Sequence, residues 1–233
     1  MFEKIRVIGR GRLGSALVDR LTARGYHLAE DDVVEDDVQL VVLCVPDAAI
    51  ADVAATIAPG PWVCHMSGAT PLSACAPHAR RFGVHPLQTF RRGAGAGQFD
   101  GAWGAISGET PEAIASASWF GAALGLRTFE IDDDRRALYH MGATMASSYL
   151  VTLYRLAGRA CEIAGAPPEA LVPLMRRTIE NQFELTGAFA RGDWGTVDKH
   201  LQAIRAFAPD LEPVYQALAD ATLRNLKSGS AQP

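Results

Sequence analysis

Three glycines close to the start of the chain, Gly9, Gly11 and Gly14, have the spacing G-x-G-x-x-G. They follow the apolar residues 5–8 directly and precede an amphipathic helix expected over 15–24. In this context the glycines allow a tight turn, the approach of a pyrophosphate and close helix–strand packing. N–H groups at the helix start would bind the phosphates. We therefore predict cofactor contacts from the whole turn, Gly9, Arg10, Gly11, Arg12, Leu13 and Gly14. The alternative is a plain strand-to-helix turn that needs glycine for its geometry alone.

An acidic stretch after this helix bears on which nicotinamide cofactor is bound. Glu30 lies 21 residues after Gly9, close to where a carboxylate would hold the adenosine ribose 2′-hydroxyl. Residues 30–37 include six acids, and no Lys or Arg occurs between Arg24 and Arg80. A 2′-phosphate would meet like charge there, so we expect NAD to be favoured over NADP. If the stretch is a solvated loop that contacts nothing, this preference disappears.

Small and polar residues follow three further apolar runs, at the strand ends where open α/β sheets bind ligands. Val45 and Pro46 close the first run, Ser67 follows the second and His85 ends the third. We expect Val45 and Pro46 to line the cofactor site. Ser67, beside Gly68, is suited to contact the nicotinamide or the substrate. His85 could be an acid, a ligand-binding residue or a strand-end histidine bonded to the backbone.

Reduction of a C=O or C=N bond also needs a proton donor, which we expect from the first helix after the strand region. His140, Thr144, Ser147 and Ser148 recur there at near-helical spacing and form a polar stripe. No lysine is available on this helix, because the chain contains only Lys4, Lys199 and Lys227. We therefore predict His140 as the general acid, with Thr144 beside it. The alternative is a core histidine bonded to a backbone carbonyl.

For several other polar residues a structural or solvent-exposed role is at least as well supported as a functional one. We expect Asn181 and His200, which is predicted to face inward on its helix, to be structural. Arg91 and Arg92 could clamp an acidic substrate or form a solvated pair. The six histidines show no ligand spacing with Asp, Glu or Cys, so no metal site is expected.

The elements that must position these residues alternate between strands and helices in the first part of the chain. Strand patterns lie at 39–45, 62–66, 82–85, 102–107 and 127–131, with helices between most of them. This alternation predicts a Rossmann-type, doubly wound, mostly parallel α/β sheet. From 135 to 227 only helical periodicity remains. We therefore expect a dinucleotide-binding domain over 1–132, a smaller all-helical substrate and dimerisation domain over 133–228, and a flexible tail over 229–233.

Composition excludes several other classes of protein. The 233 residues carry a formal charge of −4, which argues against non-specific nucleic-acid binding. No apolar run reaches the roughly 18 residues of a membrane span, and no signal-peptide pattern precedes the first strand. The four cysteines are scattered without a C-x-x-C pair. We expect a cytoplasmic protein with reduced thiols and no contact with membranes.

Several motifs occur in the order found in one bacterial protein family. They are the glycine turn, Val-Pro-Asp at 45–47, His-Met-Ser-Gly at 65–68, His-Pro-Leu-Gln-Thr-Phe at 85–90, Tyr-His at 139–140, Leu-Thr-Gly at 185–187 and Ala-Arg-Gly-Asp at 190–193. Over nearly its whole length the chain resembles proteins described as a Rossmann-like domain plus a C-terminal domain of unknown function. That group lies within the 6-phosphogluconate dehydrogenase-like set, with ketopantoate, pyrroline-5-carboxylate and β-hydroxyacid reductases. The resemblance implies this two-domain fold and NAD(P)-dependent oxidoreductase activity without a settled substrate.

Two functions remain open. The first is an NAD(P)-dependent oxidoreductase that reduces a small oxo- or imino-acid by hydride transfer. The second is a non-catalytic nucleotide-binding regulatory or scaffold protein. It is favoured by the missing lysine and by the short segment of 13 residues between Gly25 and Gln39, which abbreviates the adenosine side of the pocket. Neighbouring families also suggest a deazaflavin-linked oxidoreductase. Because related folds interleave the helical domain between subunits and its apolar faces exceed what it can bury alone, we expect a homodimer.

Overall fold

A computed structural model describes residues 1–29 and 37–229. Within these residues, seven strands form one sheet in the order β2-β1-β3-β4-β5-β6-β7. All neighbouring strands are parallel except the antiparallel pair β5 and β6. The strands are β1 Lys4–Ile8, β2 His27–Leu28, β3 Leu40–Leu43, β4 Trp62–His65, β5 Arg81–Leu87, β6 Trp103–Gly108 and β7 Arg127–Glu130. The chain leaves β1 towards β2 on one side and takes up β3 on the other, so the switch point of the sheet lies between β1 and β3.

Helices cover both faces of the sheet. They are α1 Arg12–Ala23, α2 Ile50–Ala55 and α3 Pro111–Leu124, and the next helix in the chain is α4 Arg136–Thr144. One buried cluster joins α1 and α3 to the sheet through Leu17, Leu21 and Phe120. A second cluster on the other face joins α2 to β3 and β4 through Ile50 and Ala54. Strands β3 and β4 are therefore buried on both faces, which explains their nearly continuous apolar sequences.

The ends of α3 show how local sequence fixes these elements. The Thr110 side chain accepts a hydrogen bond from the N–H of Ala113, and Pro111 occupies the first helical turn. The helix ends at Gly125, whose φ of 86° is in the left-handed region that favours glycine.

The chain divides into two compact units, Met1–Ser147 and Ser148–Pro233. A π-helical segment, Met145–Tyr149, spans this division. The second unit contains α5 Leu150–Ile163, α6 Leu171–Glu180, α7 Ala188–Arg191, α8 Trp194–Phe207 and α9 Glu212–Gly229. Within it, Arg159 pairs with Asp210 at 2.5 Å, and the Asp193 side chain caps α8. No helix in the described part of the chain is both long and apolar enough to cross a membrane.

The predicted fold class, a doubly wound and mostly parallel sheet followed by a helical region, is confirmed. Three details differ from the sequence pattern. The two-residue strand β2 has no apolar run to announce it, and β6 is antiparallel because residues 88–102 supply no crossover helix. The unit boundary follows Ser147 rather than residue 132, since α4 begins with a side chain buried in the first unit. Residues 230–233 of the expected tail lie outside the described residues.

Candidate cofactor and substrate site

The three glycines of the first turn lie in different surroundings. Gly9 has a φ of 100°, and a Cβ atom there would lie 2.5 Å from the carbonyl oxygen of Cys44. A Cβ atom at Gly14 would lie 1.9 Å from the carbonyl oxygen of Gly9. A Cβ atom at Gly11 would have no heavy atom within 4 Å. Packing therefore explains Gly9 and Gly14, whereas Gly11 faces open space.

The start of α1 is suited to an anion. Gly11 is the N-cap residue and offers no side chain to the first N–H groups, and the first turn contains no acid. Helix starts carry a partial positive charge and N–H groups without helical partners. The exposed residues Arg10 and Arg12 flank this position, and Ser15 Oγ donates to the Arg10 carbonyl oxygen at 3.1 Å. The residues present therefore fit the pyrophosphate of a dinucleotide.

The end of β3 borders this turn. Val45 Cγ1 would lie 3.2 Å from a Cβ atom at Gly9, and Pro46 is exposed. Both residues lie at the switch point of the sheet, beside the predicted phosphate position. Glu30, the predicted ribose ligand, lies outside the described residues. Asp37, at the end of the acidic stretch, accepts a hydrogen bond from Lys4 Nζ at 2.6 Å.

Ser67 shapes the turn after β4. Its hydroxyl donates to Thr70 Oγ1 at 2.9 Å and accepts from the N–H groups of Ala69 and Thr70 at 3.2 and 3.0 Å. The side chain is buried. These contacts give Ser67 a structural task, and its contact with a cofactor or substrate stays a prediction.

Two histidine rings and a tyrosine meet at Gly68, directly after Ser67. His85 Nδ1 lies 2.9 Å from the hydroxyl oxygen of Tyr139, and the rings of His85 and His140 have centroids 5.7 Å apart. A Cβ atom at Gly68 would lie 2.6 Å from His140 Cδ2 and 2.9 Å from His85 Nε2. The missing side chain thus lets both rings approach the end of β4. The structure brings the predicted residues His85 and His140 together and adds Tyr139.

A buried cation lies below this group. Arg136, the first residue of α4, is fully buried and donates to Ser107 Oγ at 2.5 Å and to the carbonyl oxygen of Ser67. Its Nε lies 3.8 Å from Asp133, whose carboxylate accepts the N–H of Leu72. Gly83 makes room for it, because a Cβ atom there would lie 3.0 Å from one guanidinium nitrogen. Arg136 therefore ties α4 to the carboxyl end of the sheet.

Burial and this cation keep His65 and His85 neutral. The pKa of His85 is lowered to about 4, first by burial, then by the charges of His140 and Arg136, with Asp47 opposing them. Burial, Arg136 and His85 lower the pKa of His65 on β4 to about 3. Burial raises the pKa of Tyr139 to about 12, while Arg136 opposes this shift. At neutral pH the imidazole rings of His65 and His85 are therefore uncharged, and the phenol of Tyr139 is protonated.

The polar stripe of α4 is shorter than its spacing predicts. Thr144 is the last residue of the helix, and the π-helical segment then changes the register. Ser147 Oγ donates back to the Ala143 carbonyl oxygen at 2.7 Å, and Ser148 belongs to the second unit. The four residues therefore do not form one continuous helical row.

The remaining candidates lie on the surface. His200 was expected to face inward but is exposed, and its Nδ1 lies 3.0 Å from the hydroxyl oxygen of Tyr215. Asn181 is exposed at the end of α6, and Arg91 and Arg92 are exposed after β5. In residues 1–29 and 37–229 no three His, Cys, Asp or Glu side chains are grouped to hold a metal ion.

Sequence reasoning missed Tyr139 and Arg136. Tyr139 was visible only as one half of the Tyr-His pair at 139–140, where its neighbour attracted the functional assignment. Arg136 lies in the charged run 132–136, which is typical of a solvated loop, so nothing local marks it as buried.

The family described as a domain of unknown function (DUF2520) matches residues 102–222, more than half of the chain, and the chain belongs to that family. None of the curated proteins with which it was compared matches it.

Solved structures with this fold cover almost the whole chain. Protein TM1727 from Thermotoga maritima is 21% identical with a TM-score of 0.78, over 98% of this chain and 100% of that one. A Bacteroides fragilis protein, described provisionally as an NADP oxidoreductase, is 20% identical with a TM-score of 0.77, over 96% and 98%. The 1-pyrroline-5-carboxylate reductase of Streptococcus pyogenes is 16% identical with a TM-score of 0.61, over 97% and 98%. At these identities the likeness establishes the Rossmann-like fold.

Proposed function

We propose that this member of the family is an NAD(P)-dependent oxidoreductase that reduces a small oxo- or imino-acid. The observation that carries the proposal is the open space at Gly11. The protein itself needs no glycine there, while Gly9 and Gly14 are fixed by contacts under 3 Å. A turn that carries no side chain at this open position, at the start of an uncapped helix and at the switch point of the sheet, is suited to a dinucleotide.

The residues around the turn would divide the work of binding. Residues 9–14 would hold the pyrophosphate, with Val45 and Pro46 beside the cofactor and Ser67 at its nicotinamide end. When bound, the reduced nicotinamide would supply the hydride. His85 and His140 would supply the proton to the developing oxyanion or amine, with Thr144 lining the same helix. This class of reaction is supported by the descriptions of two structural neighbours, one as an NADP oxidoreductase and one as a 1-pyrroline-5-carboxylate reductase.

An anionic substrate is supported by two arginines. In the part of the chain that the structure describes, Arg91 and Arg92 are exposed and form no ion pair. Two contacts hold their loop in place. The rings of Phe90 and Phe99 pack with centroids 4.9 Å apart, and the backbone N–H of Arg91 donates to Gln98 Oε1 at 2.7 Å. An ordered loop with two available cations at the end of β5 suits recognition of a carboxylate.

Cofactor binding tests the proposal directly. Calorimetry with NADH and NADPH compares the parent protein with Gly11→Val, whose side chain the local fold accepts but a pyrophosphate would not. Gly195→Val in α8 is the matched control, since a Cβ atom there meets only Asp193 at 3.8 Å. We expect at least a tenfold loss of affinity in Gly11→Val alone, with unchanged melting temperature. Equal affinity in all three proteins would refute nucleotide binding at this turn.

The same titrations address the base preference. We propose that NAD binds at least as tightly as NADP, because residues 30–37 contain six acids. Asp37 is already paired with Lys4, so the preference rests on the rest of the stretch. A reproducible tenfold advantage for NADPH would overturn it.

A non-catalytic nucleotide-binding protein is the second candidate. It is favoured by the sequence of α4, which contains no lysine to serve as proton donor. The two functions differ in turnover. Consumption of NADH or NADPH with any member of a panel of 2-oxo acids and cyclic imino acids supports the enzyme. Tight cofactor binding without turnover on the whole panel supports the regulatory or scaffold protein.

We further propose that the helical unit forms a homodimer. Among its described residues only Val197, Ala208 and Leu211 are buried apolar residues. Large apolar side chains are exposed on several helices, with Leu174 at 62% and Phe207 at 71%. A second copy of this chain would cover such surface with a matching one.

Light scattering at micromolar concentration tests this assembly. We expect twice the chain mass for the parent and for Arg176→Glu, and a lower mass for Leu174→Glu on the same helix. A stable species near 24.9 kDa in the parent would contradict the proposal.

A further inference from the structure

The hydrogen bond between His85 and Tyr139 joins residues 54 positions apart in the chain. The two rings meet edge to face with centroids 5.5 Å apart, and the rings of Tyr139 and Phe129 also meet edge to face with centroids 5.8 Å apart. The phenol is therefore held between two aromatic neighbours. Within the described residues, His85 is the hydrogen-bond partner of the Tyr139 hydroxyl.

The donor in this hydrogen bond follows from the chemistry of the two groups. The phenol is protonated and the imidazole is neutral at pH 7, because the pKa of Tyr139 is raised to about 12 and that of His85 is lowered to about 4. A phenolic O–H is a stronger donor than a neutral imidazole N–H, so Tyr139 donates and His85 Nδ1 accepts. The single ring proton of His85 then lies on Nε2.

The Cε1–Nε2 edge of the His85 ring faces the strand end. A Cβ atom at Gly68 would lie 2.8 Å from Cε1 and 2.9 Å from Nε2 of His85, whereas His140 turns its carbon Cδ2 towards the same position at 2.6 Å. In the described part of the chain, no hydrogen bond fixes the tautomer of His140. Of the two histidines, His85 alone presents an oriented N–H at Gly68.

We infer that His85 donates the proton in the proposed reduction through its Nε2–H, and that Tyr139 is the positioning residue that fixes this tautomer and returns the proton. This inference rests on the proposed function and assigns a role within the same site. It moves the predicted general acid from His140 to His85.

The step balances in atoms and charge. The substrate carbon gains a hydride from the reduced nicotinamide, and the π bond of the C=O or C=N group breaks. Its oxygen or nitrogen takes the proton from Nε2, while Nδ1 takes the proton of Tyr139 and leaves a tyrosinate. The buried charge of Arg136 favours that anion, since it lowers the pKa of Tyr139 against the effect of burial. The tyrosinate then takes its proton back from Nδ1, and Nε2 takes a proton from solvent, which restores the starting tautomer of His85.

The tautomer of His85 can be measured without substrate or cofactor. Long-range ¹H–¹⁵N spectra of the full-length protein distinguish the two tautomers by their nitrogen shifts, and His85→Gln identifies the signals. We expect the Nε2–H form in the parent, and a mixture of tautomers in Tyr139→Phe, which keeps the ring contacts. Tyr26→Phe is the matched control, because its ring packs on Trp119 in the same unit. The Nδ1–H form in the parent, or no change in Tyr139→Phe, would overturn the inference.

The rate of hydride transfer in variants of the three residues is the second test of the inference. With the first oxo acid or imino acid that the parent reduces, we expect His85→Gln to slow hydride transfer by roughly 10²–10⁴ and Tyr139→Phe by roughly 10–10², at unchanged cofactor affinity. We expect a smaller loss in His140→Gln than in His85→Gln, and the parent rate in the control His200→Gln, whose imidazole lies 3.0 Å from the hydroxyl oxygen of Tyr215 outside this site. A large loss in His140→Gln alone would return the role to His140. If nothing on the panel is reduced, the proposed function fails, while the spectra still decide whether Tyr139 sets the tautomer.

Discussion

Replacement of Arg136 by methionine tests whether this buried cation stabilises the first unit. The guanidinium donates two hydrogen bonds to buried oxygens, those of Ser107 and Ser67, and it lies beside Asp133. Hydrogen bonds to charged groups contribute about 1.5–3 kcal/mol each, and removal of one partner from a buried charged pair costs about 3–5 kcal/mol. Methionine restores the apolar stem but neither hydrogen bond. We therefore expect Arg136→Met to lose about 3–5 kcal/mol of unfolding free energy, and Ser107→Ala about 1.5–3 kcal/mol.

Urea unfolding followed by tryptophan fluorescence measures this loss. In a Trp194→Phe background the signal comes from Trp62, Trp103 and Trp119, all in the first unit. The matched control is Arg135→Met at the neighbouring position, where the side chain is 73% exposed and its ion pair with Asp132 spans 3.6 Å. Such a surface pair is worth less than about 1 kcal/mol. If Arg136→Met lies within 1 kcal/mol of Arg135→Met, the assignment of Arg136 as a structural tie is wrong.

The buried histidines and two of the glycines offer further tests. The pKa of His65 is lowered to about 3 and that of His85 to about 4. The contribution of these neutral rings to stability is therefore complete above about pH 6.5 and is lost as the pH falls towards those values. We expect His65→Leu to reduce the slope of unfolding free energy against pH in acid by at most about 1.4 kcal/mol per pH unit, as measured by urea unfolding at several pH values. Gly68→Ala should displace both histidine rings, so we expect slower turnover with cofactor affinity retained in calorimetry; full activity would contradict the ring positions. Gly14→Ala should lower the melting temperature strongly, since its Cβ atom would lie 1.9 Å from the Gly9 carbonyl oxygen, and an unchanged value would refute the close packing.

The glycine turn was the part of the site most open to prediction. The geometry of this turn depends on residues adjacent in sequence, a strand, three glycines and a helix, so local spacing predicts it. The apolar runs predicted β3 and β4 for a similar reason, because a strand buried on both faces needs apolar side chains at nearly every position. Strand β2 could not be found this way, since its exposed edge position places no such demand on His27 and Leu28.

The grouping of side chains at Gly68 could be predicted only in part. His85 and His140 were nominated separately, one as the end of a strand and one as part of a helical stripe. Their proximity could not be predicted, because it depends on how α4 packs on the carboxyl end of the sheet. That packing is fixed by Arg136, whose charge made it resemble a surface residue.

The sequence by itself determined the alternation of strands and helices, the spacing of the glycine turn and the absence of a lysine from α4. Each of these depends on residue type and local spacing, which the chain carries without folding. Only the tertiary structure decided that Gly11 faces open space while Gly9 and Gly14 are closely packed. It also decided that Tyr139 meets His85 across 54 residues and that Arg136 is buried beneath them. These facts depend on contacts between distant segments, where burial changes the pKa of a side chain and a neighbour selects its tautomer.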